Sequence, residues 1–390
     1  MPLKPAEILQ QLNDKREQFT DFDQKTLKLL QKYQTALAEL SQCEPAELQR
    51  KLDRLPGNCG ASPLELLSKS DRGVIREHLQ WRSREESLAW AKQQIAAVAT
   101  FAVDGSQIYP SKDISLLVAL VQIGWYENLH VEAGSYSKDI QTEIMTPADL
   151  TGGDRRELID RKVNMKRFAM ETERLSRYME ERQGHQRCLV FFDGALAASF
   201  AELLDDESRR FYADQLTRLL RTSQRCQVPI VGYVDTSYAR DLTAMLRHLA
   251  NLPEASSLRD AQIMNRFMQN HWGDRTSLYL CRADILKYYC EQHDQVTFTY
   301  LKSTTEGFPA RLELPRWIYE SGRLQEVLNW VRAEVIIGGG YPYAIETADQ
   351  TAVLQARDRQ IFYRILQNWT EEAGLNLRLS RKMVSKARRR

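Results

Sequence analysis

Two apolar runs in this chain each lead into an Asp-Gly pair, and they constrain the fold more than any other feature. The first, "FAVDG", spans residues 101–105, and the second, "CLVFFDG", spans residues 188–194. Short apolar runs bounded by turn residues are typical of buried strands. We expect each strand to end in a tight turn on its aspartate, Asp104 or Asp193. A single Asp-Gly is most often only a turn, but two in equivalent positions indicate a shared binding edge.

The order of the predicted elements indicates how these two strands are arranged. The pattern predicts strands near 99–105, 115–126 and 130–137, a helix over about 155–182, a strand over 187–192, a helix over about 207–225 and a strand over 228–234. Glu127-Asn128 is expected to mark a short connection after the second strand. This order favours an α/β fold with a mixed sheet, in which an antiparallel meander leads into parallel strands flanked by helices. The first strand and the strand after the long helix can then lie side by side, with both aspartates at the carboxyl edge where such sheets bind ligands.

Two aspartates at that edge predict a metal site. Neighbouring strands lie about 4.8 Å apart, and two carboxylates at that separation repel each other unless a cation lies between them. A ligand set made only of oxygen favours Mg²⁺ or Mn²⁺ over Zn²⁺. The sequence therefore favours a divalent-metal site for phosphoryl transfer, with the plain turn as the alternative.

Composition divides the chain into three regions. Residues 1–98 have helical spacing, interrupted by "LPGNCGASP" at 55–63, and are expected to form a helical arm used for packing, dimerisation or another interaction. Residues 99–370 contain the predicted α/β domain. Residues 371–390 form a basic tail whose last ten residues hold six Lys or Arg and no acid, although the net charge of the whole chain is only +2. This tail, with Arg388 and Arg389, is either a solvated end or a phosphate-binding segment.

Several classes of protein are disfavoured. The sequence has no apolar run of about 18 residues and no signal-peptide core at its N-terminus. Its six cysteines include no CxxC pair, which argues against thiolate metal sites and disulfides. We therefore expect a soluble cytoplasmic protein without membrane contacts. No GxxxxGK[ST] motif is present, so the chain is not expected to hydrolyse ATP by that route.

Four motifs together resemble a known family. They are "AVDGS", "FFDGAL", "YLKSTTEGFPARLELPRWI" at 300–318 and "GGGYPYAIETADQTAVLQARD" at 338–358. In this order they are similar to the NurA nuclease domain, over about residues 99–368. The resemblance implies a ribonuclease-H-like core, Mn²⁺-dependent cleavage of DNA and a homodimer. It also implies work beside a hexameric HerA-type DNA-translocating ATPase in the processing of DNA ends.

The resemblance also suggests metal ligands. Asp104 and Asp193 match the family's two metal-binding aspartates, and the family places a glutamate on the long helix between them. Glu171 is the expected match, because it shares a helical face with apolar residues three positions before and four positions after it. Glu173 lies two positions further on and points elsewhere, and Glu157 is an alternative upstream.

The late motif departs from the family pattern. The family has Tyr-Pro followed by Ala-His, whereas this chain has Tyr341-Pro342 followed by Ala348-Asp349. Asp349 is expected in the first turn of a helix. It either replaces the histidine as a ligand, since a hard cation accepts a carboxylate, or it only caps the helix. In the first case four carboxylates would hold one or two Mn²⁺ or Mg²⁺ ions, as in metal-dependent phosphodiester hydrolysis.

Cations elsewhere are weaker candidates for DNA contact. Arg275 lies in a segment that mixes cations with aromatic rings, and Lys302, Arg311 and Arg316 bracket the predicted strand pair "VTFTYLKS" and "ARLELP". Ordinary packing explains these cations equally well. Two alternative functions remain: a catalytically weakened DNA-end clamp or loading factor for a translocase, and a ribonuclease that uses the same site.

Overall fold

The structure is a computed structural model, and it describes residues 3–65, 67, 72–132, 134–151, 156–269, 271–375 and 377–378. The described residues form two compact units. The first draws on residues within 1–80, 234–284 and 297–312, and the second on residues within 81–233, 285–296 and 313–390. The chain passes between the two units several times, so neither is a single continuous segment.

Strands occur in both units. In chain order they are β1 Gly60–Pro63, β2 Val74–Ile75, β3 Ala99–Ile108, β4 Ala119–Asn128, β5 Tyr136–Met145, β6 Cys188–Asp193, β7 Ile230–Val234, β8 Arg275–Thr276, β9 Tyr279–Arg282, β10 Val296–Leu301 and β11 Ala310–Pro315.

Helices precede, separate and follow the strands. They are α1 Pro5–Asp14, α2 Arg16–Leu40, α3 Pro45–Leu52, α4 Arg84–Ile95, α5 Pro147–Leu150, α6 Arg156–Glu181, α7 Asp206–Cys226, α8 Asp241–Ala250, α9 Asp260–Asn265, α10 Arg316–Glu320, α11 Leu324–Ile337, α12 Tyr343–Ala352 and α13 Ala356–Glu372. Short 3₁₀ turns lie at Ser199–Leu203, Asp284–Tyr288 and Cys290–Gln292. Among the described residues, no helix combines the length and apolar character that crossing a membrane requires.

The sheet of the second unit confirms the predicted fold class. Its strands run in the order β7-β6-β3-β4-β5. Strands β3, β4 and β5 form an antiparallel meander, and β6 and β7 extend it on the other side of β3 as parallel strands. A meander followed by two parallel strands beside its first strand is the ribonuclease-H-like arrangement. Helix α6, predicted at 155–182, forms the long connection from β5 to β6.

Burial explains which strands were easy to predict from sequence. The central strand β6 is buried along its first five residues, as expected for a parallel strand covered on both faces. Strand β5 is exposed on both faces over most of its length and alternates polar with apolar residues only weakly. The third strand lies at Tyr136–Met145, so the predicted strand at 130–137 is wrong. The weak alternation of β5 is the reason that the sequence did not mark its position. Glu127 and Asn128 belong to β4 rather than to the connection.

Residues Asp104 and Gly105 do not form the turn that the sequence suggested. Strand β3 continues through both of them to Ile108, and Asp104 pairs with Gly124 of β4. The parallel pairing with β6 stops one residue earlier, at Val103 opposite Phe192. Asp104 therefore lies where β3 loses its β6 neighbour, while the backbone itself stays extended.

The first unit contains helices α1 to α3 of the expected helical arm and a set of short antiparallel strands, whereas α4 belongs to the second unit. Strand β1 pairs with β9, β9 with β10, β10 with β8, and β8 with β2. Its most buried acid, Asp260, accepts hydrogen bonds from the amides of Leu242 and Thr243 at 2.9 and 2.8 Å. These amides lie in the first turn of α8, where backbone N–H groups have no partner within the helix. Asp260, at the start of α9, therefore accepts the hydrogen bonds that the N-terminal end of α8 would otherwise lack.

Helix α12 packs closely on β3 and β4, and a glycine permits the approach. A Cβ added to Gly124 would lie 2.6 Å from the amide nitrogen of Ala352. The Ala352 carbonyl accepts hydrogen bonds from the Ser106 hydroxyl at 2.6 Å and from Gln122 Nε2 at 2.9 Å. The C-terminal end of α12 is therefore held against the sheet next to Asp104.

We predict that Gly124→Ala displaces the end of α12. The added methyl group meets helix backbone rather than a flexible side chain, and overpacking of this kind costs about 1–3 kcal/mol. Thermal melting should show a lower Tm. Gly57→Ala is the matched control, because a Cβ at Gly57 meets nothing within 4 Å. Equal melting temperatures for the two variants would contradict this description of the contact.

Candidate active site

Asp104 and Asp193 come from adjacent parallel strands. Asp193 is the last residue of β6, and Asp104 follows directly on the last residue of β3 that pairs with β6. The register therefore brings the two aspartates to the same end of the strand pair. The prediction that both reach one edge agrees with this placement.

Glu171 lies on α6 and faces β3. Glu171 is only 8 % exposed. Its carboxylate lies so close to β3 that a Cβ added to Gly105 would be 2.3 Å from Glu171 Oε1. Phe168, on the same face of α6, packs edge-on against Phe192 of β6 at a centroid distance of 5.9 Å. The glycine of the first Asp-Gly pair is needed because it leaves room for the Glu171 carboxylate.

The other glutamates of the helix do not share this position. Glu173 is exposed, in agreement with the expected divergence of positions 171 and 173 on a helix. The side chain of Glu157 lies outside the described residues. Among the described side chains, Glu171 is therefore the α6 glutamate next to Asp104.

Asp349 does not lie in the first turn of its helix, so that expectation is wrong. Helix α12 begins at Tyr343, and Asp349 is the seventh of its ten residues. The capping alternative for Asp349 is thereby removed. Asp349 is exposed, and it is close enough to Asp104 and Asp193 to raise the pKa of both.

A buried glutamate fixes the start of α12 against the sheet. Glu334 of α11 is fully buried and accepts hydrogen bonds from the Thr100 hydroxyl of β3 and from the Ala344 amide, both at 2.9 Å. Its carboxylate thus joins β3 to the N-terminal turn of α12, an end that favours negative charge. The Glu334 hydrogen bond holds the N-terminal end of α12, and the close approach at Gly124 holds its C-terminal end. These two contacts fix the position of Asp349 relative to β3.

Two further residues, Tyr341 and Arg167, contact the carboxylates, and the sequence motifs assign a role to neither of them. The Tyr341 hydroxyl donates to Asp193 Oδ1 at 3.1 Å. Arg167 Nη1 donates to the Gly105 carbonyl at 3.0 Å, and its Nε lies 3.5 Å from Glu171 Oε1. Arg167 lies one helical turn before Glu171, and this spacing in the sequence indicates that the two side chains can form an ion pair. Tyr341 was visible only as part of the Tyr-Pro motif.

Burial and neighbouring carboxylates raise the pKa of Asp104, Glu171 and Asp193. Burial raises the pKa of Asp104 to about 6, an effect that the Gly105 amide opposes and that a hydrogen bond with Asp349 and the charges of Asp193 and Asp349 reinforce. Burial also raises the pKa of Glu171 to about 8, against the attraction of Arg167 and with further repulsion from Asp104 and Asp193. The pKa of Asp193 is raised by desolvation and by Asp349, while Tyr341 and Arg167 lower it.

This donor set fits a hard divalent cation. All four side chains offer carboxylate oxygens, which Mg²⁺ and Mn²⁺ prefer. Glu171 Oε1 is buried and, within the described residues, accepts no hydrogen bond. No three acidic, histidine or cysteine side chains of the described chain converge in ion-coordinating geometry. Asp104 Oδ1 instead accepts from the Gly105 amide at 2.7 Å, so ion binding would have to compete with local partners.

Two of the predicted DNA-contacting cations are buried in the first unit. Arg275 donates to both carboxylate oxygens of Glu65, at 2.6 and 2.9 Å. Lys302 donates to Asn265 Oδ1 at 2.9 Å and to the Gly307 carbonyl at 2.7 Å, and burial lowers its pKa. These partners favour a structural role over contact with phosphate.

The other two cations are also engaged. Arg311 is buried and lies 2.7 Å from Asp241 Oδ2. Arg316 is partly exposed and pairs with Asp294 at 3.1 Å and Glu320 at 2.8 Å. Neither is brought near the carboxylates by a described contact. The predicted tail contacts, Arg388 and Arg389, lie outside the described residues.

The topology and the acidic cluster define the class: an α/β protein with a ribonuclease-H-like sheet and a carboxylate site at the end of two parallel strands. The NurA domain family matches residues 98–354, which is most of the chain. The chain belongs to the NurA family. Membership in this family supports a DNA nuclease.

Solved structures provide more distant likenesses. A crystal structure of NurA with manganese matches at 10% identity and a TM-score of 0.40, covering 73% of this chain and 93% of that chain. NurA bound to dAMP and manganese matches at 9% identity and 0.35, covering 67% and 86%. The catalytic domain of human Endonuclease V matches at 12% identity and 0.34, covering 78% and 93%. No curated protein matches the chain.

We predict that Glu171 makes the metal-free protein less stable as pH rises. Its folded pKa of about 8 exceeds its ordinary value of 4.5, so between these values the folded state keeps a proton that the unfolded chain releases. Stability is therefore highest at low pH and falls as pH increases through this window. In EDTA, Glu171→Gln should melt above the parent at pH 8, and the difference should shrink toward pH 5.

Glu173→Gln is the control for this experiment, because Glu173 is exposed on the same helix. Its melting temperature should follow that of the parent at every pH. A Glu171→Gln protein whose melting curve also runs parallel to the parent would show that Glu171 does not titrate across the window.

Proposed function

We propose that this protein is a divalent-metal-dependent DNA nuclease that hydrolyses phosphodiester bonds. The observation that supports this most strongly is the joint placement of Asp104, Asp193 and Glu171 at the end of the β3–β6 pair. These carboxylates are close together and partly desolvated, and a divalent cation between them would offset their desolvation and mutual repulsion. Family membership gives this cluster its substrate class, DNA.

The proposed ligands are Asp104, Glu171, Asp193 and Asp349, with Mn²⁺ or Mg²⁺ as the ion. When bound, such an ion supplies Lewis-acid stabilisation of the phosphate and lowers the pKa of a coordinated water. The chain contributes the arrangement around it. Parallel strands and α6 fix three carboxylates, and α12 places the fourth on the exposed side.

Neighbouring groups orient these carboxylates. Tyr341 donates to Asp193 Oδ1, which leaves the other oxygen of that carboxylate for the ion. Arg167 lies beside Glu171 and the Gly105 carbonyl, where its positive charge favours the ionised form of Glu171. No side chain near the carboxylates is required as a covalent nucleophile, so attack by water is the proposed reaction.

The wider role is taken from the family resemblance. We infer a homodimer that acts beside a HerA-type hexameric DNA-translocating ATPase in DNA end resection and double-strand break repair. The absence of a GxxxxGK[ST] motif from the sequence is consistent with a separate motor protein. Copurification of tagged protein with such an ATPase would test this part independently of cleavage.

A DNA-end clamp with weak or no catalysis is the second candidate. Two observations favour it: Asp349 stands where the family has histidine, and no three potential ligands in the described part of the chain are already arranged around one point. Incubation of linear DNA, RNA and hybrid duplexes with Mn²⁺ separates the possibilities. A nuclease degrades DNA and stops in EDTA, a clamp only binds it, and a ribonuclease prefers RNA.

We predict that Asp104→Asn and Asp193→Asn each reduce Mn²⁺-dependent DNA cleavage by more than about 100-fold, since even changes to groups that only orient metal ligands cost 10–100-fold. Neither variant should melt below the parent in EDTA, because each removes a repulsive charge. Cleavage rates with Glu173→Gln as control provide the check. Near-normal cleavage by either variant would remove that aspartate from the site.

The second functional prediction concerns Asp349. Asp349→Ala should raise the Mn²⁺ concentration needed for half-maximal cleavage, and Asp349→Asn should do the same because it loses the charge. Asp349→His should keep part of the activity and lose it below about pH 6.5, where imidazole becomes protonated. Metal titrations at several pH values measure this. Unchanged metal requirement in Asp349→Asn would leave three carboxylates as the site.

A further inference from the structure

The loop that follows Asp193 carries an exposed aromatic ring. Residues 194–205 connect β6 to α7 and leave the sheet at the end where Asp193 lies. Phe200, in the short 3₁₀ turn of this loop, is 49 % exposed. A single exposed ring is ordinary on a protein surface. Its support by the fold and its distance from the carboxylates therefore decide whether it has a role.

The first half of this loop is held firmly by the second unit. Leu196, Ala197 and Ala198 are buried. The Tyr289 hydroxyl donates to the Leu196 carbonyl at 2.7 Å, and the Ala197 amide donates to Oε2 of the buried Glu313 at 2.8 Å. Ala198 has a left-handed backbone with a φ of 35°, which a residue with a Cβ adopts only where its surroundings impose it. The turn that carries Phe200 is thus presented in a defined position.

The Phe200 ring packs on one side against two buried rings. Its centroid lies 5.0 Å from that of Tyr212 and 6.2 Å from that of Phe168, at interplanar angles of 78° and 59°. Phe168 and Tyr212 pack edge to face at 4.9 Å, a favourable geometry for aromatic pairs. These contacts fix the orientation of the Phe200 ring, while about half of its surface remains exposed.

Phe168 connects this ring to the carboxylate site. It lies three residues before Glu171 on α6, and it packs edge-on against Phe192 at 5.9 Å. Phe192 directly precedes Asp193 on β6. Phe200 is therefore one ring away from residues that adjoin two of the proposed metal ligands.

The charges around Tyr212 also place the aromatic cluster beside the site. Burial raises the pKa of Tyr212, whereas Arg167 and Arg161 lower it and Glu171 raises it further. The side chains of Arg161 and Arg167 are each 32 % exposed, and Arg161 pairs with Asp205 at the end of the loop. The exposed ring thus lies on a part of the surface that also offers positive charge to a phosphate backbone.

We propose that Phe200 is a stacking platform for an unpaired nucleobase of the DNA strand held at the carboxylate site. Any unpaired base has a π-face that can stack on an aromatic side chain, so such a contact holds DNA without reading its sequence. The cations of α6 would attract the backbone of the same strand. This inference rests on the proposed function, because that function supplies DNA as the substrate.

Leu203 allows a ring-specific contact to be separated from a general apolar one. It lies in the same 3₁₀ turn as Phe200 and is 96 % exposed. A protein that docked on this turn through apolar contact would use Leu203 as well as Phe200. A nucleobase stacks on the ring alone, so Leu203 provides the matched control.

The first test is the affinity of the full-length protein for a short fluorescein-labelled oligothymidylate, measured by fluorescence anisotropy in EDTA. Phe200→Ala should weaken binding by about 5- to 150-fold, the range for loss of one base–aromatic stack. Phe200→Leu should also weaken it, since it keeps the apolar bulk and loses the ring, whereas Phe200→Tyr should retain it. Leu203→Ala should bind as the parent does. Thermal melting should show that all four variants are folded.

The second test removes the base instead of the ring. The same oligonucleotide carries one abasic site, placed at successive positions. At the position that meets Phe200, the abasic site should weaken binding by the wild-type protein but cause no further loss in Phe200→Ala, because the stack is already absent. Additive losses at every position would show that Phe200 does not contact a base.

Wild-type affinity in Phe200→Ala would overturn the proposal, as would equal losses in Phe200→Ala and Leu203→Ala. Absence of oligonucleotide binding by the wild-type protein would overturn it as well. Because binding is measured in EDTA, a protein that stacks DNA on Phe200 but does not cleave it would contradict only the proposed nuclease activity. Cleavage of DNA by a protein whose binding ignores Phe200 would contradict only the stacking platform.

Discussion

The parallel pairing of β3 with β6 is the constraint on which the site depends. It ends at Val103 opposite Phe192, and the next residue on each strand is an aspartate. Two acids at that point are unfavourable for the sheet by itself, because each loses water and repels the other. The pairing is nevertheless well supported, since β6 is buried along its first five residues. Burial of the strand pair therefore keeps Asp104 and Asp193 close together, although their negative charges repel each other.

The elements around this strand pair add further carboxylates and so increase the electrostatic repulsion. Gly105 has no side chain, which lets Glu171 approach β3, and Gly124 lets α12 bring Asp349 close to Asp104. Arg167 supplies one positive charge near Glu171, yet burial still raises the pKa of that glutamate to about 8. A cation is the group that would balance the cluster. The same features that reduce the stability of the fold at high pH would favour binding of the proposed ion.

The parts of the fold with strong periodicity could be predicted from the sequence. Helix α6 and the buried strands β3 and β6 were placed within a few residues, and the topology followed from their order. Strand β5 could not be placed, because it is exposed on both faces and lacks the apolar alternation that marks a half-buried strand. Asp104-Gly105 was expected to be a turn, since its local chemistry is that of a turn. Its extended backbone depends on the β4 partner. The start of α12 depends on Glu334, whose carboxylate also accepts a hydrogen bond from Thr100 of β3, a residue that is distant in sequence.

Direct measurement of Mn²⁺ binding tests the central claim most sharply. In calorimetric titrations near pH 7, the wild-type protein should bind Mn²⁺ and release protons to the buffer, because Glu171, with its pKa of about 8, must ionise to become a ligand. The Asp104→Asn and Asp193→Asn double variant should lose that binding while remaining folded. Equal binding by the wild-type protein and the double variant, or no binding by either, would contradict a metal site at the end of the β3–β6 pair.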